Sequence, residues 1–234
     1  MKADAVLYNS FVLQVRSVTK SYGGVRSRTV LRDISFEIDR GEFIAIMGES
    51  GVGKSTLLNL IAGLDMPDAG SVVLDGIDLT SLDDERRTLI RRNSIGFVFQ
   101  AFHLLPHLTI ARNVRLPLDL AGVSAREADE RTRAMLSAVG LSELASEYPR
   151  AISGGEAQRA AVARALVHDP SLVLADEPTG NLDVENAAEI LRLLRDQVKE
   201  RRASGILVTH SAAAARIADR IYQLTSTGLV RFST

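Results

Sequence analysis

Apolar residues form two kinds of run along this chain. At 12–18 (VLQVRSV), 30–38 (VLRDISFEI) and 71–75 (SVVLD) they alternate with polar residues, the period-two signature of strands buried on one face. At 43–47 (FIAIM), 95–99 (IGFVF), 172–175 (LVLA) and 205–209 (GILVT) they are unbroken, as central parallel strands buried on both faces would be. Gly23-Gly24, Arg40-Gly41 and Asp75-Gly76 read as turns. Helical patterns cover 54–63, 185–201 and 211–219. Between 102 and 170 the strands disappear. That stretch carries Pro106, Pro117 and Pro149, and the helix former SAREADERTRAMLSAVG with Ser124 as its cap. The pattern predicts an α/β core, a small antiparallel sheet near the N-terminus and a helical insertion in the middle.

Composition narrows this little. A length of 234 residues, 46% of them hydrophobic, suits one large domain or a domain with an inserted subdomain. A formal net charge of −1 gives no basic field to hold nucleic acid, and none is expected as a partner. The absence of cysteine excludes disulfides, cysteine nucleophiles and cysteine-based metal sites, and fits a reducing compartment. No apolar run approaches the roughly 18 residues that cross a bilayer. Asp4 and Asn9 interrupt what a signal peptide would need as an apolar core. The expectation is a chain that stays in the cytoplasm, does membrane work through a partner, and ends at Thr234 without room for an appended regulatory domain.

The chemistry begins at 48–55, GESGVGKS, between the apolar run FIAIM and the helical TLLNLIAG. Strand, glycine loop and helix in that order are the context a P-loop requires. Gly48, Glu49, Ser50, Gly51, Val52 and Gly53 would close backbone amides round phosphates. Lys54 would reach the outer phosphates, Ser55 would offer its hydroxyl to Mg²⁺, and Thr56 continues the helix. LVLADE at 172–177 ends a buried strand in two carboxylates: Asp176 to sit beside the ion, Glu177 to face the γ-phosphate and the attacking water.

A second glycine-rich helix start, ISGGEAQR at 152–159, lacks a lysine. The first amides of a helix are unpaired and carry partial positive charge, so such a stretch invites an anion. It also reads as an ordinary Ser-capped helix. That alternative leaves the two glycines unexplained, since each costs about 1 kcal/mol relative to Ala inside a helix.

With these motifs the chain resembles the ATP-binding subunits of ABC transporters over nearly its whole length. Tyr22 in KSYGG stands where the family stacks an aromatic on adenine, and Gln100 in FVFQ where it carries a glutamine entering the helical insertion. Ser153, Gly154, Gly155 and Glu156 match the signature, Asp183 in PTGNLD the loop after the paired acids, and His210 in ILVTH the switch histidine after the last core strand. Ile152 and Glu156 replace the usual Leu and Gln, and Ala157 stands where close relatives place Gln. IGFVFQ…HLLPHLT…N, SGGE and LADEPTGNLD look most like the branch of the lipoprotein-release (LolD), macrolide-export (MacB) and cell-division (FtsE) ATPases.

The resemblance implies a RecA-like P-loop core with an N-terminal antiparallel β subdomain (1–101 and 171–234) and an inserted α-helical signature subdomain (102–170). Its cofactors are ATP and Mg²⁺, the ion being met by Ser55, Gln100 and Asp176. Two copies pair head to tail, with Ser153–Gly155 of one covering the γ-phosphate on the other's P-loop. Lys54, Gln100, Glu177 and His210 are then the catalytic set. Output passes to a permease with few membrane spans, which places the protein on the cytoplasmic face of the inner membrane.

Two other classes compete. A soluble ABC ATPase of DNA repair or translation would show a coiled-coil insertion or two ATPase halves. A cell-division or signalling ATPase would gate a periplasmic partner without moving a solute. The insertion holds Phe102, Leu104, Leu105 and Leu108 to line a permease groove or pack as subdomain core, and His103 and His107 to sit on the permease-facing loop. His168 should complement a helix dipole, and DDERR (83–87) and KERR (199–202) should be solvated faces.

Overall fold

The alternating runs pair with one another. In the computed structural model, which describes residues 10–23 and 28–232, β1 (Phe11–Tyr22) runs antiparallel to β2 (Arg28–Asp39), with Leu13 opposite Ile38 and Val15 opposite Phe36. With β4 (Ala69–Leu74) and β5 (Ile77–Asp78) they make a four-stranded sheet of order β2-β1-β4-β5. The N-terminal reading on Asp4 and Asn9, Gly24 of the first turn, and the Thr234 end lie outside the described residues.

The unbroken runs become β3 (Phe43–Met47), β6 (Ile95–Phe99), β7 (Leu172–Asp176) and β8 (Ser204–Thr209) of a six-stranded sheet. Burial on both faces explains their composition. Phe43 and Ala45 of β3 face one core cluster while Ile44 and Ile46 face the other. Val173 and Ala175 of β7 likewise oppose Leu172 and Leu174. The first cluster is roofed by α3 (Ile110–Leu120), α4 (Ala125–Ala138), α5 (Gly154–Leu166) and α6 (Val184–Glu200). The second is closed by α1 (Lys54–Ile61) and the antiparallel sheet. Each fully buried Leu, Ile or Phe stabilises the fold by about 1.5–3 kcal/mol, so β3, with the P-loop at its end, is among the best-anchored segments.

Some readings need correction. β8 is not the last core strand: β9 (Arg220–Thr225) pairs parallel to β3, and β10 (Gly228–Phe232) closes the edge, in the order β10-β9-β3-β8-β7-β6. The helix expected over 211–219 is the single turn α7 (Ala212–Ala215); beyond it the Asp219 backbone N–H donates to Phe43 O and its carboxylate accepts from the Phe43 N–H, steering the chain into β9. DDERR is a solvated face as expected; it opens a helix, α2 (Asp84–Ser94), that buries no residue and is capped by Asp83 accepting from the Arg86 N–H. KERR is not a purely solvated face. Lys199 pairs with Asp219 and donates to Gly41 O, and Arg201 pairs with Asp169 at 2.8 Å. His168 is largely buried, with Nε2 3.2 Å from Ile95 O, and burial lowers its pKa. It is therefore a neutral packing residue, not a cation at a helix end.

Ser124 does cap α4. Buried Asn113 in α3 organises the loop after β6: its side chain accepts from the Leu105 N–H and donates to the carbonyls of Leu105, Leu108 and Thr109. Of the loop's apolar residues, Leu104 packs on the core, whereas Leu105 lines the groove between α2, β6, α3 and α5.

Candidate functional site

The chain leaves β3 at Met47 and turns through 48–53 into α1. Gly53 is the helix cap at φ 113°, in the left-handed region, and a Cβ there would meet Val30 Cγ1 at 2.8 Å, so only glycine fits. Lys54, buried, curls back over the loop and donates to Gly48 O at 2.9 Å and Glu49 O at 3.0 Å. Ser50, Gly51 and Val52 form the rim, with the Val52 N–H on Glu49 O. No side chain caps α1. Its first amides and the Lys54 ammonium thus form one electropositive cup.

The paired acids stand opposite. Burial raises the Asp176 pKa; a hydrogen bond with Ser55 and the charge of Lys54 oppose that shift, while Glu177 adds to it. Glu177 leaves the strand at φ 48°, a left-handed conformation for a non-glycine residue, with its N–H on Val208 O. That turn aims the carboxylate back over the cup, 3.9 Å from Lys54 Nζ and 2.9 Å from His210 Nδ1. Backbone strain concentrated at such a residue is typical of functional sites. His210 is otherwise exposed, at the end of β8.

Gln100 follows β6 and gives its amide to Asn181: Gln100 Nε2 donates to Asn181 Oδ1 at 3.1 Å, and Asn181 Nδ2 donates to Gln100 O at 3.0 Å. Asn181 escaped the sequence reading because an Asn within a turn-forming PTGNLD looks like turn chemistry alone. Tyr22 stands 44% exposed beside the cup. Its hydroxyl donates to Asp65 and lies by Thr56; the Asp65 bond, then burial, raises the phenol pKa. Asp65 also accepts from Lys20 at 2.7 Å, and no sequence signal marked it.

Ser153 begins α5 with a full capping box: its hydroxyl accepts from the Glu156 N–H, and Glu156 accepts from the Ser153 N–H at 2.7 Å. The backbone bond from Ser153 is the main cause holding the Glu156 pKa below its ordinary value. The glycines behave differently. A Cβ at Gly155 would meet Asn186 Oδ1 at 3.2 Å, a tight fit, whereas one at Gly154 would find only ordinary contacts, 3.5 Å from Leu182 and 3.8 Å from Phe102. Nothing within this chain demands a glycine at 154. Asp183 caps α6, accepting from the Glu185 and Asn186 N–H groups and the Asn186 side chain, with its pKa lowered chiefly by the Asn186 backbone bond. The neighbours of this helix start are Leu182, Asn186 and Phe102, none of them in the P-loop.

Among the described residues no group of three His, Cys, Asp or Glu could hold a metal ion, His103 and His107 included. The oxygen pair of Ser55 and Asp176 nonetheless fits Mg²⁺, which is usually held by one or two protein oxygens plus substrate phosphates.

A family profile described as ABC transporter matches residues 31–180. The lipoprotein-releasing system ATP-binding protein LolD of Saccharophagus degradans is 45% identical over 91% of this chain and 94% of its own length. The LolD of Pseudomonas syringae pv. tomato is 46% identical over 94% and 97%. The ATP-binding cassette MJ0796, solved as a dimer in a post-hydrolysis state with ADP and Pi, superposes with a TM-score of 0.85 at 39% identity, covering 95% of this chain and 99% of that one. No described helix is long and apolar enough to cross a membrane.

Proposed function

The chain belongs to the ABC transporter family as an ATP-binding, ATP-hydrolysing subunit, and from that premise we propose that two copies clasp two ATP molecules head to tail to drive a permease of the lipoprotein-releasing type. The observation that carries the clasp is Gly154. It pays a helix-propensity penalty that its own chain does not require, at a start whose amides have no phosphate cup of their own. Close approach of a phosphate held by a second copy supplies the missing reason. The dimer of the similar cassette MJ0796 supports the same reading.

In this reading Gly48–Thr56 cradle the triphosphate, Lys54 leaves its carbonyl partners for the outer phosphates, and Tyr22 stacks on the base. Ser55, Asp176 and Gln100 would hold Mg²⁺, which would supply positive charge against the phosphates. Glu177 orients or deprotonates water, a role commonly worth about 10²–10⁴ in rate. His210, already hydrogen-bonded to Glu177, bridges water and γ-phosphate. Ser153, Gly154, Gly155 and Glu156 of the opposing copy, with Asp183, complete the site. Gln100 lies where the core meets the 102–170 helical subdomain, so phosphate state becomes subdomain rotation. The permease receives that motion through the groove between α2, β6, α3 and α5, and holds this chain on the cytoplasmic face of the inner membrane. The LolD relatives favour transport over a gating role without a solute.

The test is complementation. A chain with Ser153→Tyr and one with Lys54→Ala are each inactive; mixed, they form one complete site per hybrid dimer and regain hydrolysis. No recovery on mixing refutes the shared site.

A further inference from the structure

The turn that follows α1 grips the end of β1. Leu64 and Asp65 hang from α1, their N–H groups donating to Asn59 O at 2.9 and 3.3 Å. Asp68 reaches β1, accepting from the Ser21 N–H at 2.7 Å and donating its own N–H to Thr19 O at 2.8 Å. Asp65 takes the two side chains that flank Ser21. Its Oδ1 accepts from Lys20 Nζ at 2.7 Å and its Oδ2 from the Tyr22 hydroxyl. Lys20 also donates to Met66 O at 2.7 Å, and the Met66 N–H donates to Asp65 Oδ1.

The carboxylate and the ammonium are both charged at neutral pH. Burial pushes the Asp65 pKa up, but the bonds from Lys20 and Tyr22 outweigh it and hold the carboxyl below its ordinary value. Burial likewise lowers the Lys20 pKa, and the bond to Asp65 more than reverses this. The Tyr22 hydroxyl thus rests on an ion pair through a charge-assisted bond, stronger than a neutral one. Lys20 Nζ also lies over one face of the Tyr22 ring, 5.0 Å from its centroid, within the range of a cation–π contact. A planar ligand stacking on that ring must take the opposite face. Tyr22, the last residue of β1, is fixed in this way although it is well exposed.

We propose that Asp65 is a positioning residue for the nucleotide base: it fixes the Tyr22 ring, backed on one face by Lys20, as a shelf for the base. This rests on the reading of Tyr22 as the stacking residue, and adds what keeps that ring in place. The Tyr22 hydroxyl lies by Thr56 in the first turn of α1, and Asp65 follows the end of the same helix. The element that begins in the phosphate cup therefore carries the anchor of the shelf, and the two keep one spacing. A ring already in place spares the ligand the ordering of a free side chain, worth about 2- to 10-fold in affinity.

Isothermal titration calorimetry of the full chain compares two ligands, each with Mg²⁺. ADP has the base and no γ-phosphate to be hydrolysed; inorganic pyrophosphate has phosphates alone. Tyr22→Phe keeps the ring and removes the hydroxyl, and Asp65→Asn keeps the shape and removes the charge. Each is expected to weaken ADP binding about 2- to 10-fold and to leave pyrophosphate binding unchanged. The double variant should be no weaker than either single one, as members of one latch are not additive. Unchanged ADP affinity in Tyr22→Phe, losses that add in the double variant, or an equal loss of pyrophosphate overturns the latch. Tyr22→Ala keeps the two readings apart. If it reduces the preference for ADP over pyrophosphate while Tyr22→Phe changes nothing, the ring stacks without the latch. If it leaves that preference intact, the stacking reading fails and the latch with it. Should Asp65→Asn not fold, the two Tyr22 variants decide.

Discussion

Replacing Gly154 by Ala should raise stability and destroy activity, a divergence that few single changes produce. An added Cβ stands 3.5 Å from Leu182 and 3.8 Å from Phe102, contacts that cost nothing, and the residue lies in the first turn of α5. Removing glycine's conformational freedom there gains about 0.5 kcal/mol, part of the full interior difference of ~1 kcal/mol. For a domain of this size that is a rise of about 1–2 °C in the melting midpoint. In the clasp, the same methyl intrudes between the α5 amides and the γ-phosphate of the opposing copy. Displacement of a reacting group by about 1 Å costs roughly a hundredfold in rate. Differential scanning fluorimetry and steady-state phosphate release, with nucleotide affinity of the isolated chain as control, read all three quantities. Full turnover by a variant with the raised midpoint refutes the argument that glycine at 154 serves a second molecule. A lowered midpoint refutes the packing argument.

Glu177→Gln removes the carboxylate proposed to activate water while keeping its shape, so ATP and Mg²⁺ should trap dimers on size-exclusion chromatography; a variant that stays monomeric contradicts the clasp. Ser153→Tyr breaks the capping box, costing about 1 kcal/mol of stability, and should abolish hydrolysis while the monomer still binds nucleotide; equal loss of both argues against action across copies. His168 gives a pH signature. Burial lowers its folded pKa below the ordinary 6.5, so between those two values the unfolded chain binds the proton and the folded one does not. Its contribution is complete above pH ~6.5 and falls away as pH drops through that window. Urea midpoints measured from pH 7.5 to 5.5 should decline less for His168→Leu than for the parent; parallel declines refute a neutral buried imidazole.

Much of this was legible before any coordinates. Strands buried on both faces write themselves as unbroken apolar runs, which is why β3, β6, β7 and β8 and the loop at 48–55 stood out. What escaped lacks that signature. β9 turns only Tyr222 and Leu224 fully inward and begins with a charged residue; α2 buries nothing and shows no apolar stripe. The Asn181–Gln100 exchange spans 81 positions, a separation at which no local pattern operates. The positive φ of Glu177 was equally invisible, because a carboxylate after a strand looks the same whichever way it is aimed.

α5 starts at Gly154, which the proposed clasp sets against the opposing nucleotide, and carries Arg164, the clamp on the Phe102 and His103 carbonyls, ten residues on, about 15 Å along a rigid rod. A seesaw has the same design: whatever tilts one seat tilts the other, with no relay between them. Tuning the sensitivity of the machine would then be a matter of moving the pivot, and side chains midway along the rod would set the gearing without touching either load.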